Sequence, residues 1–182
     1  MSPGWPLETE RLTLRPFEER DFDAFAAIHA AAETARWLYN EARTRDEARA
    51  HFRRKQQSSL VREDDWLSCA IVERASGTLV GDLSFHWVSV EHRTGEIGFI
   101  VAPGHKGKGY AAEAARALLA WAFEHAGFHR VIGRLEPRNA ASARVLEKLG
   151  MRHEALFVEN EWVKGEWQSE SVYAILEREW RP

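Results

Sequence analysis

Apolar and polar residues alternate in several stretches of the chain, which is the pattern of β-strands. A Gly-containing turn at 75–77 joins two of these stretches as a hairpin, and a Trp-bearing connection joins the last two. The predicted strands are Arg11–Arg15, Trp66–Glu73, Leu79–Val88, Glu96–Val101, Arg130–Leu135, Met151–Val158 and Ser171–Leu176.

Elsewhere apolar residues recur at the three- and four-residue spacing of an amphipathic helix. Such helices are predicted over 22–29, and over 110–123 after a glycine-rich turn. Thr44 and Glu47 form a capping box that opens a third helix, which runs to about Gln57. Asn139 is placed to cap a fourth helix that ends at Gly150. Four helices are therefore expected.

The order of these elements predicts the fold class. The strand Glu96–Val101, the helix after it and the strand Arg130–Leu135 form a strand-helix-strand unit with a parallel strand pair. We therefore expect an α/β or α+β fold with a mixed sheet of about six to seven strands and about four flanking helices. No repeat or linker divides the chain, so residues 1–182 are predicted to form a single domain.

Composition narrows the class of protein. The chain has 182 residues, of which 45% are hydrophobic and 29% charged, as in a globular protein. No apolar run reaches bilayer length and the N-terminus has no signal-like segment, which predicts a cytoplasmic protein without a membrane partner. A formal net charge of -3 gives no case for nucleic-acid binding.

The cysteine and histidine content argues against metal and disulfide chemistry. Cys69 is the only cysteine, so an intramolecular disulfide and a Cys-rich zinc site are excluded, and its strand context favours a packed thiol. The histidines show no spacing typical of a metal site or a Ser-His-Asp set, so no metal is expected.

The turn before the longest predicted helix is a candidate anion site. Glycines at 107 and 109 and lysines at 106 and 108 lie where a helix presents unpaired N–H groups. An exposed turn without a ligand is the simple alternative. A Walker A loop is excluded because Tyr110 and Ala111 stand where Lys and Ser or Thr are needed. The dinucleotide pattern G-x-G-x-x-A is matched, but hairpin-like strands precede the turn instead of strand-helix units.

Four motifs in order resemble the GNAT acetyltransferases. Lys106–Ala111 reads KGKGYA and resembles their Q/R-x-x-G-x-G/A pyrophosphate motif, with a lysine in the first place. Leu7–Arg15 (LETERLTLR), Gly95–Phe99 (GEIGF) and Asn139–Met151 (NAASARVLEKLGM) resemble the RimJ/RimL-type branch. The resemblance extends over most of the chain, from about residue 7 to residue 176.

The resemblance implies an acetyl-CoA site. In this family the pantetheine arm lies along the strand before the turn, and a backbone N–H of that strand, near Ile100 or Val101, faces the oxyanion. Asn139 is a helix cap, a pantetheine contact or both. The implied cofactor-binding residues are Phe99, Ile100, Val101, Lys106, Gly107, Lys108, Gly109, Tyr110, Ala111, Asn139 and Ser142.

Acetyl transfer to an amine needs a base, since alkylammonium groups with a pKa of about 10 stay protonated at neutral pH. Glu96 is the first candidate for this base, and its alternative interpretation is an ordinary solvent-facing strand residue. Glu159 and Glu161 are weaker candidates for the base.

Many GNAT enzymes protonate the leaving thiolate with a tyrosine, and here that position is Leu146. Ser142 is the candidate in its place, although a helix serine often bonds its own backbone.

The sequence therefore predicts an acetyl-CoA-dependent N-acetyltransferase. The acceptor is a primary amine, either a protein N-terminus or a small amine, and a homodimer is compatible with the resemblance. Trp87, Trp162 and Trp167 are candidates for aromatic walls of the acceptor site or for core packing. A catalytically idle acyl-CoA-binding module is the alternative, because Leu146 replaces the tyrosine.

Overall fold

A computed structural model describes residues 1–181, and its elements follow the predicted order. The strands are β1 Leu7–Glu8, β2 Leu12–Arg15, β3 Trp66–Glu73, β4 Leu79–Ser89, β5 Thr94–Val101, β6 Arg130–Leu135, β7 Arg152–Val163 and β8 Glu166–Leu176. The helices are α1 Phe22–Ala30, α2 Ala32–Ala35, α3 Arg45–Gln56, α4 Tyr110–Glu124 and α5 Ala140–Lys148. Within residues 1–181, no helix is both long and apolar enough to cross a bilayer.

In the described part of the chain the sheet has eight strands, so the expected six to seven is wrong, and there are five α-helices where about four were expected. The additional strand is β1, which pairs with β2 through Leu7 and Leu14. The additional helix, α2, has four residues. Elements of two and four residues are too short to show a periodic pattern.

The predicted Trp-bearing connection near the C-terminus is itself strand. β7 and β8 form one long hairpin in which Trp162 pairs with Trp167, and Lys164 and Gly165 turn the chain with φ of 51° and 82°. The alternation in β7 is interrupted because its register shifts between Phe157 and Glu161. Such a bulge breaks the two-residue period that identifies strands in a sequence.

The strand order is β1-β2-β3-β4-β5-β6-β8-β7. Among the strand pairs of residues 1–181, only β5 and β6 run parallel, which confirms the strand-helix-strand unit. Their pairing covers three residue pairs and ends at Glu96 and Ile132, although β5 continues to Val101 and β6 to Leu135. The sheet therefore opens at its centre.

Helices cover both faces of the sheet. On β3, Cys69 and Ile71 belong to the core beneath α4 and α5, whereas Ala70 and Val72 pack with α1 and α3 on the other face. This alternation confirms the prediction of a packed thiol. Burial raises the pKa of Cys69 to about 12, so the thiol stays protonated.

A buried ion cluster joins α1 and α3 to the sheet. Asp82 of β4 is 2% exposed, and its two oxygens lie 2.7 Å from Lys55 Nζ and 3.1 Å from His29 Nε2. Burial alone would raise the pKa of Asp82, but the attraction of Lys55 and His29 outweighs it and lowers the pKa. The carboxylate is therefore ionised and depends on its partners.

Replacing Lys55 by methionine leaves Asp82 buried beside His29 alone. We expect the free energy of unfolding to fall by about 3 kcal/mol, since removing one partner of a buried ion pair strands the other charge. Urea denaturation measures it. Arg53→Met on the exposed side of α3 is the matched control, and an equal loss in both variants would show that the buried pair is not the cause.

Candidate active site

The first part of the site is the gap between β5 and β6. Phe99, Ile100 and Val101 lie on β5 beyond its last pair with β6, and they pair on their other side with β4. One edge of this stretch therefore has backbone groups with no strand beside them. Such groups can hydrogen-bond an extended, amide-containing ligand.

The second part is the turn into α4. Gly107 and Gly109 have φ of +79° and +85°, a region that residues with side chains rarely adopt. The first helical hydrogen bond runs from Glu113 N to Gly109 O at 3.1 Å. The amides of Tyr110, Ala111 and Ala112 consequently have no partner within the helix. The helix dipole and these N–H groups favour an anion at this end.

Contacts from the N-terminal strands hold this turn in place. Arg11 donates from Nη1 to Lys108 O at 3.0 Å and from Nε to Glu113 Oε2 at 2.7 Å. Thr9 Oγ1 donates to Glu113 Oε1 at 2.6 Å. Sequence reasoning did not identify Arg11 or Glu113 as site residues. Their only signal was the position of Arg11 within the motif Leu7–Arg15.

The side chains of the turn differ in direction. Lys106 Nζ is paired with Glu33 Oε1 at 2.7 Å. Tyr110 is buried and donates its hydroxyl to Glu73, so only its backbone amide faces the anion position. Lys108 has no carboxylate within 4.0 Å among residues 1–181 and, with Arg11, supplies positive charge at the turn.

The start of α5 borders the gap from the β6 side. Asn139 Oδ1 accepts from Ser142 N at 3.2 Å, which confirms the helix cap. Ser142 Oγ makes no hydrogen bond to residues 1–181 and is partly exposed. Leu146 is buried, and its Cδ1 atom would be 2.8 Å from a Cβ on Gly133 of β6. Leu146 thus fills the space beneath β6. In the described part of α5, Ser142 has a hydroxyl with no hydrogen-bond partner.

Glu96 lies on the face of β5 opposite α4. Its side chain is 22% exposed, and Arg134 Nε is 3.3 Å from its Oε2 atom. Arg134 also bonds Glu170 Oε1 at 3.2 Å, and Tyr39 donates to Glu170 Oε2 at 3.3 Å. Burial raises the pKa of Glu96 despite the opposing charges of Arg134 and His86. Glu96 is therefore no ordinary solvent-facing strand residue.

Two chain segments meet beside this network. Lys164 at the end of the β7–β8 hairpin donates to Ala35 O of α2. Between them lies a cavity of about 260 Å³, lined by Ala32, Ala35, Arg36, Glu41, Ala42, Lys164, Glu166 and Gln168. Glu161 approaches Tyr39 on the same side, and with burial and Glu170 it raises the pKa of that phenol. Glu159 is exposed at the bulge of β7.

The three tryptophans considered as acceptor walls are in different surroundings. Trp162 and Trp167 pack edge to face at 5.3 Å near the tip of the hairpin and are 61% and 58% exposed. Trp87 packs on Phe128 at 5.7 Å against the core, so the core alternative holds for it. Trp167 lies between the cavity-lining Glu166 and Gln168 of β8 and pairs with Trp162, so these two side chains lie on the other face of the hairpin from the cavity.

This geometry agrees with the comparisons to known proteins. The profile of the Acetyltransferase (GNAT) domain matches residues 11–152, and the chain belongs to the GNAT N-acetyltransferase family. The fold is the GNAT α/β fold with one mixed sheet and five helices. Members of this family use acetyl-CoA. The alternative of a dinucleotide-binding domain is therefore wrong.

Individual relatives cover nearly the whole chain. The uncharacterized N-acetyltransferase YnaD of Bacillus subtilis is 33% identical over 174 residues, covering 96% of this chain and 98% of its own. The crystal structure of a GNAT-family acetyltransferase from Bacillus anthracis superimposes with a TM-score of 0.87 at 32% identity, covering 96% of this chain and 99% of its own. The spermidine N-acetyltransferase of Vibrio cholerae, crystallised with CoA and spermine, has a TM-score of 0.78 at 20% identity, with 94% and 98% covered.

Proposed function

We propose that this protein transfers an acetyl group directly from acetyl-CoA to a primary amine. The single observation that carries the proposal is the opening between β5 and β6. The N-terminus of α4 lies on one face of the sheet at this opening, and the half-buried Glu96 lies on the other face. A ligand that passes through the opening would contact both the helix end and the neighbourhood of Glu96. An acyl carrier with phosphates at one end and a thioester at the other has that form.

The chain's own residues fit such a ligand. Backbone groups of Phe99–Val101 hold the amide-containing arm, and the amides of Tyr110–Ala112 with Lys108 and Arg11 hold the phosphates. Asn139 caps the helix on the other side of the opening. Acetyl-CoA, when bound, supplies an activated acetyl thioester. Lys106 contributes its backbone at the turn while its side chain pairs with Glu33.

Glu96 takes a proton from the acceptor amine. The ammonium form has no lone pair, so it must lose a proton before it attacks a carbonyl carbon. A carboxylate whose pKa is raised by burial, as that of Glu96 is, is a stronger base than an exposed one. Arg134 keeps the carboxylate in place from β6.

The acceptor enters from the side of α2 and the β7–β8 hairpin. The cavity there is lined by side chains of both charge signs: Arg36 and Lys164 are positive, and Glu41 and Glu166 are negative. A protein N-terminus or a small amine such as a polyamine fits this mixed charge, and we retain both classes. The motifs shared with the RimJ/RimL-type branch support a peptide N-terminus. The spermidine enzyme of similar fold supports a small amine.

Release of free thiol from acetyl-CoA with a panel of peptides and amines tests the function. Turnover with at least one primary amine is the expected result. Calorimetric binding of CoA without turnover of any acceptor would instead show the idle module, for which the buried Leu146 is the supporting observation. Absence of CoA binding would contradict both functions.

Ser142→Ala is expected to lower kcat by only about 3- to 10-fold. A thiol with a pKa of about 8.5 is a good leaving group as its thiolate, so removal of the Ser142 hydroxyl as a proton donor should lower the rate only slightly. Steady-state kinetics measure the change. Ser142→Thr, which keeps the hydroxyl, should retain most of the activity, and a larger loss in Ser142→Thr than in Ser142→Ala would contradict a role for the hydroxyl.

A further inference from the structure

The proposed reaction leaves one proton that the chain must discharge. An ammonium and a thioester yield an amide, a thiol and one proton, so every turnover leaves a proton on the base. Glu96 is 22% exposed, its nearest ionisable neighbours are Arg134 and His86, and Glu170 lies beyond Arg134. Arg134 cannot accept a proton because a guanidinium is already fully protonated. A second proton acceptor beside Glu96 would return the carboxylate to its ionised form faster than its limited contact with solvent allows.

His86 of β4 is placed to be that acceptor. It is the register partner of Glu96, so both side chains lie on the same sheet face. Its Nδ1 atom is 4.0 Å from Glu96 Oε2, a distance that one water or a small rotation bridges. Trp66 stacks flat on the imidazole at 4.4 Å with an interplanar angle of 5°, which fixes the plane of the ring.

The other ring nitrogen faces solvent through a carboxylate. His86 Nε2 is 3.4 Å from Asp64 Oδ1, and the Asp64 side chain is 86% exposed. Asp64 is anchored to the same strand, since its N–H donates to Trp87 O at 2.9 Å. Asp64 and Trp66 border an open groove of about 510 Å³ that also contains Arg54 and Arg62.

This arrangement selects the tautomer of the ring. The Asp64 carboxylate, 3.4 Å from Nε2, favours a proton on that nitrogen, which leaves the lone pair on Nδ1, the atom that faces Glu96. The charged groups nearest the ring are Asp64 on one side and Glu96 on the other, with Arg134 and Glu170 beyond Glu96. The ring thus has an acceptor atom toward the base and a donor atom toward water.

We propose that His86 is a positioning residue that relays the proton from Glu96 to Asp64 and the solvent. The O–H bond of protonated Glu96 breaks as an N–H bond forms at Nδ1, and the Nε2 proton then passes to Asp64 or water. Exchange with water moves the remaining ring proton from Nδ1 back to Nε2 and restores the starting tautomer. No oxidant or further reactant is needed. The relay rests on the proposed acetyl transfer with Glu96 as base.

The first experiment compares kcat against pH for wild type, His86→Ala and Asp64→Asn. We expect His86→Ala to lower kcat by about 10-fold at pH 7, with unchanged affinity for CoA, and less at high pH, where hydroxide takes the proton directly. Asp64 lies on the surface, so Asp64→Asn should lower kcat less than His86→Ala does, with the loss again smaller at high pH. Imidazole added to His86→Ala should restore kcat, and Tris at the same pH should not. His92→Ala in the β4–β5 turn is the matched control.

The second experiment needs no turnover. Carbon NMR of the Glu96 carboxyl in the free protein reports its titration. His86→Gln should change the pKa of Glu96, because the ring nitrogen beside its carboxylate is lost, while His92→Gln should leave it unchanged.

The outcomes separate the relay from the function on which it rests. Wild type without turnover of any amine would overturn both. Wild type with turnover, but with His86→Ala equal to it at every pH, would overturn the relay alone. A uniform loss at all pH values without imidazole rescue would show a structural role for His86 and also overturn the relay.

Discussion

Gly109→Asp should weaken CoA binding by at least about 100-fold while the protein stays folded. The new carboxylate would stand at the open end of α4, where the amides of Tyr110–Ala112 have no partner within the helix and are proposed to bind phosphate. Two like charges about 4 Å apart repel by about 4 kcal/mol at an effective dielectric constant of 20, which corresponds to roughly a 1000-fold change in affinity. Isothermal calorimetry measures the loss.

Gly109→Asn is the matched control for this variant. Asparagine has the shape of aspartate and tolerates the φ of +85° at this position, but it carries no charge. It should lose about 10-fold or less in affinity. Gly77→Asp, at φ +69° in the β3–β4 turn, controls for backbone strain away from the site. Equal affinities of Gly109→Asp and Gly109→Asn would rule out the phosphate position assigned to the turn.

Glu96→Gln should lower kcat with an alkylamine acceptor by about 100- to 1000-fold at pH 7. The amide keeps the size of the side chain but cannot take the ammonium proton, and a positioned general base contributes about 10² to 10⁴. Steady-state kinetics with a responsive amine measure the effect. Affinity for CoA should not change, because Glu96 lies on the sheet face opposite α4.

The pH dependence has a definite sign. The proposed reaction needs ionised Glu96, whose pKa is raised by burial, so kcat should decline as pH falls and begin to do so above the range of an exposed glutamate. In Glu96→Gln this limb should disappear. Glu91→Gln, an exposed carboxylate in the β4–β5 turn, should behave as wild type. A full acidic limb in the Glu96→Gln variant would assign the base to another group.

The elements that place the site were predictable because their signals are local. The capping box at Thr44 and Glu47 and the cap at Asn139 appear in the structure where the sequence placed them. The strand-turn-helix-strand order around the glycine turn also follows from short-range patterns. Residues within one turn or one helix end determine such features, so no knowledge of the rest of the fold is required.

The polar network around Glu96 was not predictable. Arg134 and Glu170 are 36 positions apart and meet only because β6 pairs with β8. Glu170 is 5% exposed, although a glutamate in a polar strand normally indicates a solvent-facing position. The contact of Arg11 with Glu113 spans 102 positions. Long-range pairs of charged residues depend on strand order and register, which no periodic pattern in a single sequence specifies.

The opening between β5 and β6 has a consequence for the lifetime of the protein. At its centre the sheet is joined by three residue pairs, and a ligand lying there would act as a bridge between the two halves. A molecule that binds only the native state stabilises it by about 2.7 kcal/mol at a concentration 100 times its dissociation constant. Thermal resistance and protease resistance should therefore follow the supply of the acyl carrier, so the abundance of the enzyme would mirror the metabolic state that provides its substrate.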